Sequence, residues 1–216
     1  MADLTLDELR LAMAGEVASA AIFDGWSDTA LTHAAEMADV DPDVARLAYP
    51  GGAMDMISAW IASIDLAMVD ALPPEKLSEM KIRERIRALV AFRLQAVDGL
   101  EEALRRAMAI MAMPQNAPKS LRMGWKSADV MWRLAGDTST DYNHYTKRTI
   151  LAGIYTATLA VFIDDDSGGK ASSYAFLDRR IDGVMKFEKT KAKWLGRERE
   201  TFSVSRFLGR LRYPAR

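Results

Sequence analysis

The sequence predicts an all-α fold, and three observations carry that prediction. Apolar residues recur every three or four positions along almost the whole chain, no run of alternating β-branched residues is bounded by turn signals, and Pro, Gly and Asp cut the chain into helix-length pieces. A first helix is expected over residues 4–23, where Leu6, Leu9, Met13, Val17, Ala20 and Ala21 share one face and Asp24-Gly25 ends it. Asp28 is the expected cap of a second helix reaching residue 38. Asp41-Pro42 opens a short third, with Pro at the first helical position, and Pro50-Gly51-Gly52 stops it.

A long apolar helix over residues 53–72 carries Met54, Ile57, Trp60, Ile61, Ile64 and Met68, should be mostly buried, and breaks at Pro73-Pro74. Ser78 is the expected cap of a helix to residue 97, and the next runs through Leu100, Leu104, Met108 and Met111 to Met113-Pro114. Asn116 or Ser120 begins the following helix, which carries Leu121, Trp125, Met131 and Trp132 and closes at Gly136-Asp137. Ser139 or Thr140 starts a long helix to residue 163, and the turn Asp164 to Gly169 separates it from a helix over residues 170–194. These are nine core helices. No period of 20–50 residues repeats across them, which excludes a solenoid. A segment over residues 201–213 adds a tail in which Val204, Phe207, Leu208 and Leu211 form an apolar stripe flanked by Arg206, Arg210 and Arg212.

Composition narrows the function. The 216 residues hold 29 Lys+Arg against 30 Asp+Glu, 50% hydrophobic residues, two His and no Cys. A disulfide scaffold, a thiolate metal site and a thiol nucleophile are therefore excluded. No apolar run approaches the roughly 20 residues that span a bilayer. The acidic start Met1-Ala2-Asp3-Leu4 resembles neither a signal nor a transit peptide, so a cytoplasmic protein is expected.

Charge is unevenly placed. Residues 1–50 carry ten acids and two bases, Arg10 and Arg46, a balance of −8, whereas residues 179–216 carry twelve bases and four acids, a balance of +8. The first three short helices look like a helix-turn-helix, and with the longer helices behind them the order resembles TetR-type regulators. A ligand-sensing transcriptional regulator is thus the rival reading, but ten acids around two bases would repel phosphates, so no nucleic-acid partner is expected. The chain is divided into an acidic, degenerate helix-turn-helix-like part (1–52), a helical core (53–196) and a basic amphipathic tail (197–216). The tail reads as a membrane-surface helix, a docking helix for an acidic partner, or a helix packed on its own domain.

Catalytic constellations are weak. Asp141-x-x-His144 supplies half of a di-iron carboxylate arrangement, but His33 has Ala30 at the matching position. Asp164 to Gly169 begins like a calcium loop, yet Ala175 stands where a bidentate Glu belongs. Ser78-x-x-Lys81 has the serine-lysine spacing without its companion motifs. No catalytic residue, metal site or cofactor is expected.

The segment Trp132-Arg133-Leu134-Ala135-Gly136-Asp137-Thr138-Ser139-Thr140-Asp141-Tyr142-Asn143-His144-Tyr145-Thr146-Lys147-Arg148 resembles the family of the ubiquinone (coenzyme Q) biosynthesis accessory protein, the ninth Coq protein. Ala45 to Gly52 with Asp55 and Trp60, and Phe176 to Ile181, fit the same family. The resemblance implies a TetR-like fold that no longer binds DNA, a cavity for isoprenoid lipids, homodimerisation, and a C-terminal helix that attaches to membranes. It also implies an accessory role without catalysis, in which a ubiquinone precursor is presented to the di-iron hydroxylase acting on demethoxyubiquinone. The hydroxylase-binding patch of the family maps to Met131, Asp141, Asn143, His144 and Tyr145, with His144 standing where the family commonly has Trp. Residues Trp60, Ile64, Ile154, Tyr155 and Leu159 are the expected lipid-site lining. Small Ala152, Gly153 and Ala157 would admit either a dimer seam or a prenyl chain. Val204, Arg206, Phe207, Leu208, Arg210, Leu211 and Arg212 are the expected membrane contacts, and peripheral attachment to a bacterial-type inner membrane is the expected location.

Overall fold

The computed structural model describes residues 4–140 and 142–198. Asp141 and the expected membrane contacts Val204, Arg206, Phe207, Leu208, Arg210, Leu211 and Arg212 lie outside the described residues. The described chain holds eleven α-helices, two short 3₁₀ turns and no strand. It divides into two compact units, one up to Leu177 and one from Asp178 onward.

Helix α1 (Leu6–Ala12) opens on a capping box, in which the Glu8 amide donates to Thr5 Oγ1 at 3.3 Å and the Thr5 amide donates to Glu8 Oε2 at 2.9 Å. Helix α2 (Ala14–Asp24) follows at once, so the single helix expected over residues 4–23 is two. The break has a physical cause: the Tyr49 hydroxyl donates to the Arg10 carbonyl at 2.6 Å, taking an acceptor from the helical ladder. Met13 keeps right-handed angles, which is why the apolar period runs through the break undisturbed.

Helix α3 (Asp28–Met37) is capped by Ser27, whose hydroxyl accepts from the Ala30 amide, rather than by Asp28. Helix α4 (Pro42–Ala48) has Asp41 as its cap and Pro42 in its first turn, as the dipeptide predicts. Helix α5 (Ala53–Ala71) is the central apolar element and packs on α1 and α2. The Trp26 indole stacks 5.3 Å from Trp60 and donates to the Ala103 carbonyl, which ties the N-terminal helices to the core.

Asp55 on α5 gathers the Arg10 guanidinium (3.0 Å), the Lys119 ammonium (2.5 Å) and the Gly51 amide (2.7 Å). Burial works to raise its pKa, but the Lys119 and Gly51 hydrogen bonds and the two cations outweigh it, so the carboxyl sits below its ordinary value. A Cβ on Gly51 would lie 2.7 Å from that carboxyl group, so a larger residue there would push Asp55 away from its donors.

A short helix α6 (Pro74–Ser78), not expected from the sequence, follows Pro73, and α7 (Ile82–Gln95) is capped at Lys81. Ser78 is therefore no cap of α7; its hydroxyl donates back to the Glu75 carbonyl at the end of α6. Helix α8 (Glu101–Met111) leads through a 3₁₀ turn into α9 (Ala117–Leu134), where Ser120 lies inside the helix and bonds the Met111 and Asn116 carbonyls. Helix α10 (Tyr142–Ile163) returns against α9. The Ser139 hydroxyl, expected at a cap, instead donates to Asp137. The Asp164–Gly169 turn is organised by Asp165, which accepts from the amides and hydroxyls of Ser167 and Ser173, bonds that hold its carboxyl well below the usual range. Helix α11 (Ala171–Glu198) ends the described chain, its first turns to Leu177 belonging to the first unit.

Candidate functional site

Between α5, α7, α8, α9 and α10 lies an apolar cavity of about 90 Å³. Trp60, Ile61 and Ile64 from α5 line it, with Leu104 and Met108 from α8 and Tyr155, Thr156 and Leu159 from α10. Four of the five residues expected in a lipid site thus share one cavity. The fifth, Ile154, is one position, about 100° of helix, away from Tyr155 and does not line it. Next to the cavity, an open groove of about 780 Å³ runs between α9 and α10 over Leu121, Gly124, Trp125, Ala152, Gly153 and Ala157. Met108, Met111, Gly124 and Thr156 wall both spaces. The small residues Ala152, Gly153 and Ala157 therefore open a channel on this face of α10. The groove alone falls in the roughly 300–1,000 Å³ range of ligand sites.

One wall of the cavity is charged. The Arg93 guanidinium on α7 bonds Asp65 Oδ1 on α5, the Ser127 hydroxyl on α9 donates to Asp65 Oδ2 at 3.0 Å, and Arg93 lies 4.8 Å from the Tyr155 ring centre. Arg93 is 1% exposed and Asp65 6%. Burial raises the Asp65 pKa against the pull of Arg93; burial also works against the Arg93 charge, but Tyr155 and Asp65 outweigh it and the arginine stays protonated.

The α9–α10 corner is held by ions. Helix α9 ends in a Schellman motif, with Gly136 at φ +89°, its amide bonding the Arg133 carbonyl and the Asp137 amide bonding the Trp132 carbonyl. Asp137 then receives Lys147 Nζ at 2.6 Å, Arg148 Nη1 at 2.9 Å and the Ser139 hydroxyl. The other edge of Arg148 meets Asp129 Oδ1 at 2.5 Å. Burial pushes the Asp137 carboxyl up, yet its donors Lys147, Ser139 and Arg148 bring it down to about 2. The Ala135-Gly136-Asp137 and Tyr145-Thr146-Lys147-Arg148 segments are thus two halves of one corner.

That corner displays an aromatic cluster. Tyr145 is 61% exposed and its ring lies 5.7 Å from Trp125 and 5.2 Å from His144. His144 is half-buried, and its Nδ1 sits 3.0 Å from the Ser139 carbonyl, which requires that nitrogen to carry the proton. Asn143 is exposed beside them. Met131 is fully buried, a correction to its place in a contact patch: its side chain is not on the surface with them. Asp141 lies outside the described residues. Trp125, which lines the groove and touches both rings, joins groove and cluster.

Sequence reading missed Asp65, Arg93, Ser127, Met108, Met111, Gly124 and Trp125 as site residues. A signal existed for the pair: Arg93 occupies a core position in the stripe Ile86, Leu89, Val90, Leu94, and Asp65 adjoins Ile64 in the inward stripe of α5. A charge in such a stripe marks a buried polar contact.

A family model described as COQ9 matches residues 117–188, which span α9, α10 and the corner. The rat "Ubiquinone biosynthesis protein COQ9, mitochondrial" is 32% identical over 173 residues, covering 77% of this chain and 55% of that protein. The chain belongs to the COQ9 family. Human COQ9 is 30% identical over 77% of this chain and 54% of its own length, and COQ9-A of Xenopus laevis 30% over 74% and 53%. The chain therefore spans about half the length of these relatives. A crystal structure titled as the TetR transcriptional regulator from Nitrosomonas europaea ATCC 19718 superposes with a TM-score of 0.64 at 19% identity, covering 81% of this chain and 96% of that one. The COQ9 chain thus has a TetR-like fold.

Proposed function

We propose that this COQ9 protein is a non-catalytic accessory factor of ubiquinone biosynthesis that takes an isoprenoid quinone intermediate from a membrane and offers it to a demethoxyubiquinone hydroxylase. The observation that carries this reading is the apolar cavity that shares a wall with an open groove, whose lining residue Trp125 touches the rings of half-buried His144 and exposed Tyr145. The prenyl chain passes from bilayer to protein without meeting water, because one apolar environment replaces another. The aromatic cluster gives the hydroxylase an anchor of the kind that dominates interfaces, with Tyr145 its most exposed member. A homodimer is part of the same reading.

Binding of DNA has little support. Of the two cations in residues 1–50, Arg10 is engaged by Asp55 and Ala48, and Arg46 by Asp43 and Thr32. Among the described residues no single helix is long and apolar enough to cross a membrane, so attachment is assigned to the basic tail.

Organic extraction of the purified protein followed by mass spectrometry should recover prenylated quinone precursors, and recovery of bulk phospholipid alone would overturn the proposal. Replacing Arg206, Arg210 and Arg212 together by Glu should abolish flotation with anionic liposomes while leaving the melting temperature in place. Each basic residue contributes about 1 kcal/mol near an anionic surface, so reversing three charges removes the electrostatic part of binding. Unchanged flotation would rule out the tail as the membrane contact.

A further inference from the structure

We propose that the Asp65–Arg93 pair is the head-group end of the cavity and selects lipids with an uncharged, hydrogen-bond-accepting head over lipids with an anionic one. The inference rests on the lipid-binding reading above and adds to it the orientation and the chemistry of the ligand.

The argument begins with what the buried groups still require. Each Asp65 oxygen already has a donor: Oδ1 takes Arg93 and Oδ2 takes Ser127. Arg93 is not fully paired, for its Nε is buried without a hydrogen-bond partner among the described residues. A buried unpaired donor costs free energy until an acceptor reaches it, and Arg93 lines the cavity. The unmet requirement is thus for one acceptor oxygen, at the pole of a cavity that is otherwise almost wholly apolar.

Charge decides which oxygen. Arg93 is already neutralised by Asp65, so the pole has no net charge to offer an anion. A carboxylate or phosphate at Arg93 would also face the Asp65 carboxylate in a water-poor site, where like charges repel strongly. A quinone carbonyl or an alcohol oxygen meets the Nε–H without that conflict. Tyr155 lies against the guanidinium and Trp60 lines the same cavity, so a flat ring finds aromatic surfaces beside the donor.

Size decides the route. At about 90 Å³ the cavity is too small for a substituted ring until Met108 and Met111, on the wall shared with the groove, change rotamer, and unbranched methionines do so readily. The tail then occupies the groove of about 780 Å³. A lipid held in this way travels with its head inward, and its hand-over requires the head to pass back along the groove toward Trp125.

The test compares two probes with the same ten-carbon tail, one on a neutral benzoquinone and one on 4-hydroxybenzoate, by quenching of tryptophan fluorescence at pH 7. The protein should bind the quinone at least 10-fold more tightly. Asp65→Asn, which keeps the shape but removes the neutralising charge, should erase or reverse that preference, and Arg93→Met should weaken quinone binding about 10-fold. If Arg93→Met fails to fold, the Asp65→Asn ratio decides alone. Equal affinity for both probes, or a ratio unmoved by a folded Asp65→Asn protein, overturns the selection while lipid binding stands. Binding of neither probe overturns the lipid reading itself.

Discussion

Arg148→Met should destabilise the protein by about 3–5 kcal/mol, the cost typical of removing one partner from a buried ion network. The guanidinium is 1% exposed and bridges Asp129 and Asp137, and it also donates to the His144 carbonyl at 3.1 Å. Its loss leaves the Asp137 carboxylate, only 4% exposed, with Lys147 and Ser139 as its remaining donors. In urea the midpoint should fall with an unchanged slope, and the melting temperature should drop by roughly 10 °C for a chain of this size. The same cluster sets the response to acid. Asp137 titrates at about 2 in the folded protein and near the ordinary 3.8 when unfolded, so its stabilisation is complete above about pH 5 and is lost as the pH falls through about 2. Asp129, lowered by its bonds to Arg148 and Arg133 against the effect of burial, acts in the same direction. Stability of the Arg148→Met protein should depend less steeply on pH across this window. An unchanged urea midpoint would show that the corner is not held by these ions.

Gly124→Leu should separate function from stability. Gly124 stands in α9 where cavity and groove meet, and a Cβ there would meet nothing within 4 Å. The backbone therefore accepts a side chain, and replacing glycine inside a helix should leave the melting temperature equal or higher, since glycine costs about 1 kcal/mol against good helix formers. Four carbons at this position would close the passage between Met108, Met111 and Thr156. Lipid recovered by extraction should fall at least 10-fold, with helical content and melting preserved. Full lipid occupancy in the folded variant would mean that the ligand does not use this passage.

The fold was largely legible because helix period and Pro or Gly punctuation are local. Pro42, Pro73-Pro74 and Gly136 end or open helices where their backbone constraints require it. The misses arose from long-range partners. Tyr49 divides the first helix from 39 residues away, and Ser27 and Lys81 take cap positions expected of Asp28 and Ser78. The site was legible only in part. Trp60, Ile64, Tyr155 and Leu159 meet in the cavity while Ile154 does not, because residues that line a void and residues that fill a core obey one periodicity. Met131 carries the same ambiguity: its place beside Trp132 in sequence says nothing of its burial.

The corner from Trp132 to Arg148 also bears on how relatives of this chain can be sorted. The stretch that matches the family model, residues 117–188, includes the glycine turn and its ion clamp but stops short of Asp65 and Arg93. Two chains can therefore share the signature of the corner and differ at the pole of the cavity. Under the proposed selection, the residue types at these two positions would form a short key: an acid with an arginine for neutral quinones, and an arginine facing a neutral residue for acidic precursors. On that proposal, one substitution at position 65 would change the preferred head group with the architecture around Gly136 untouched.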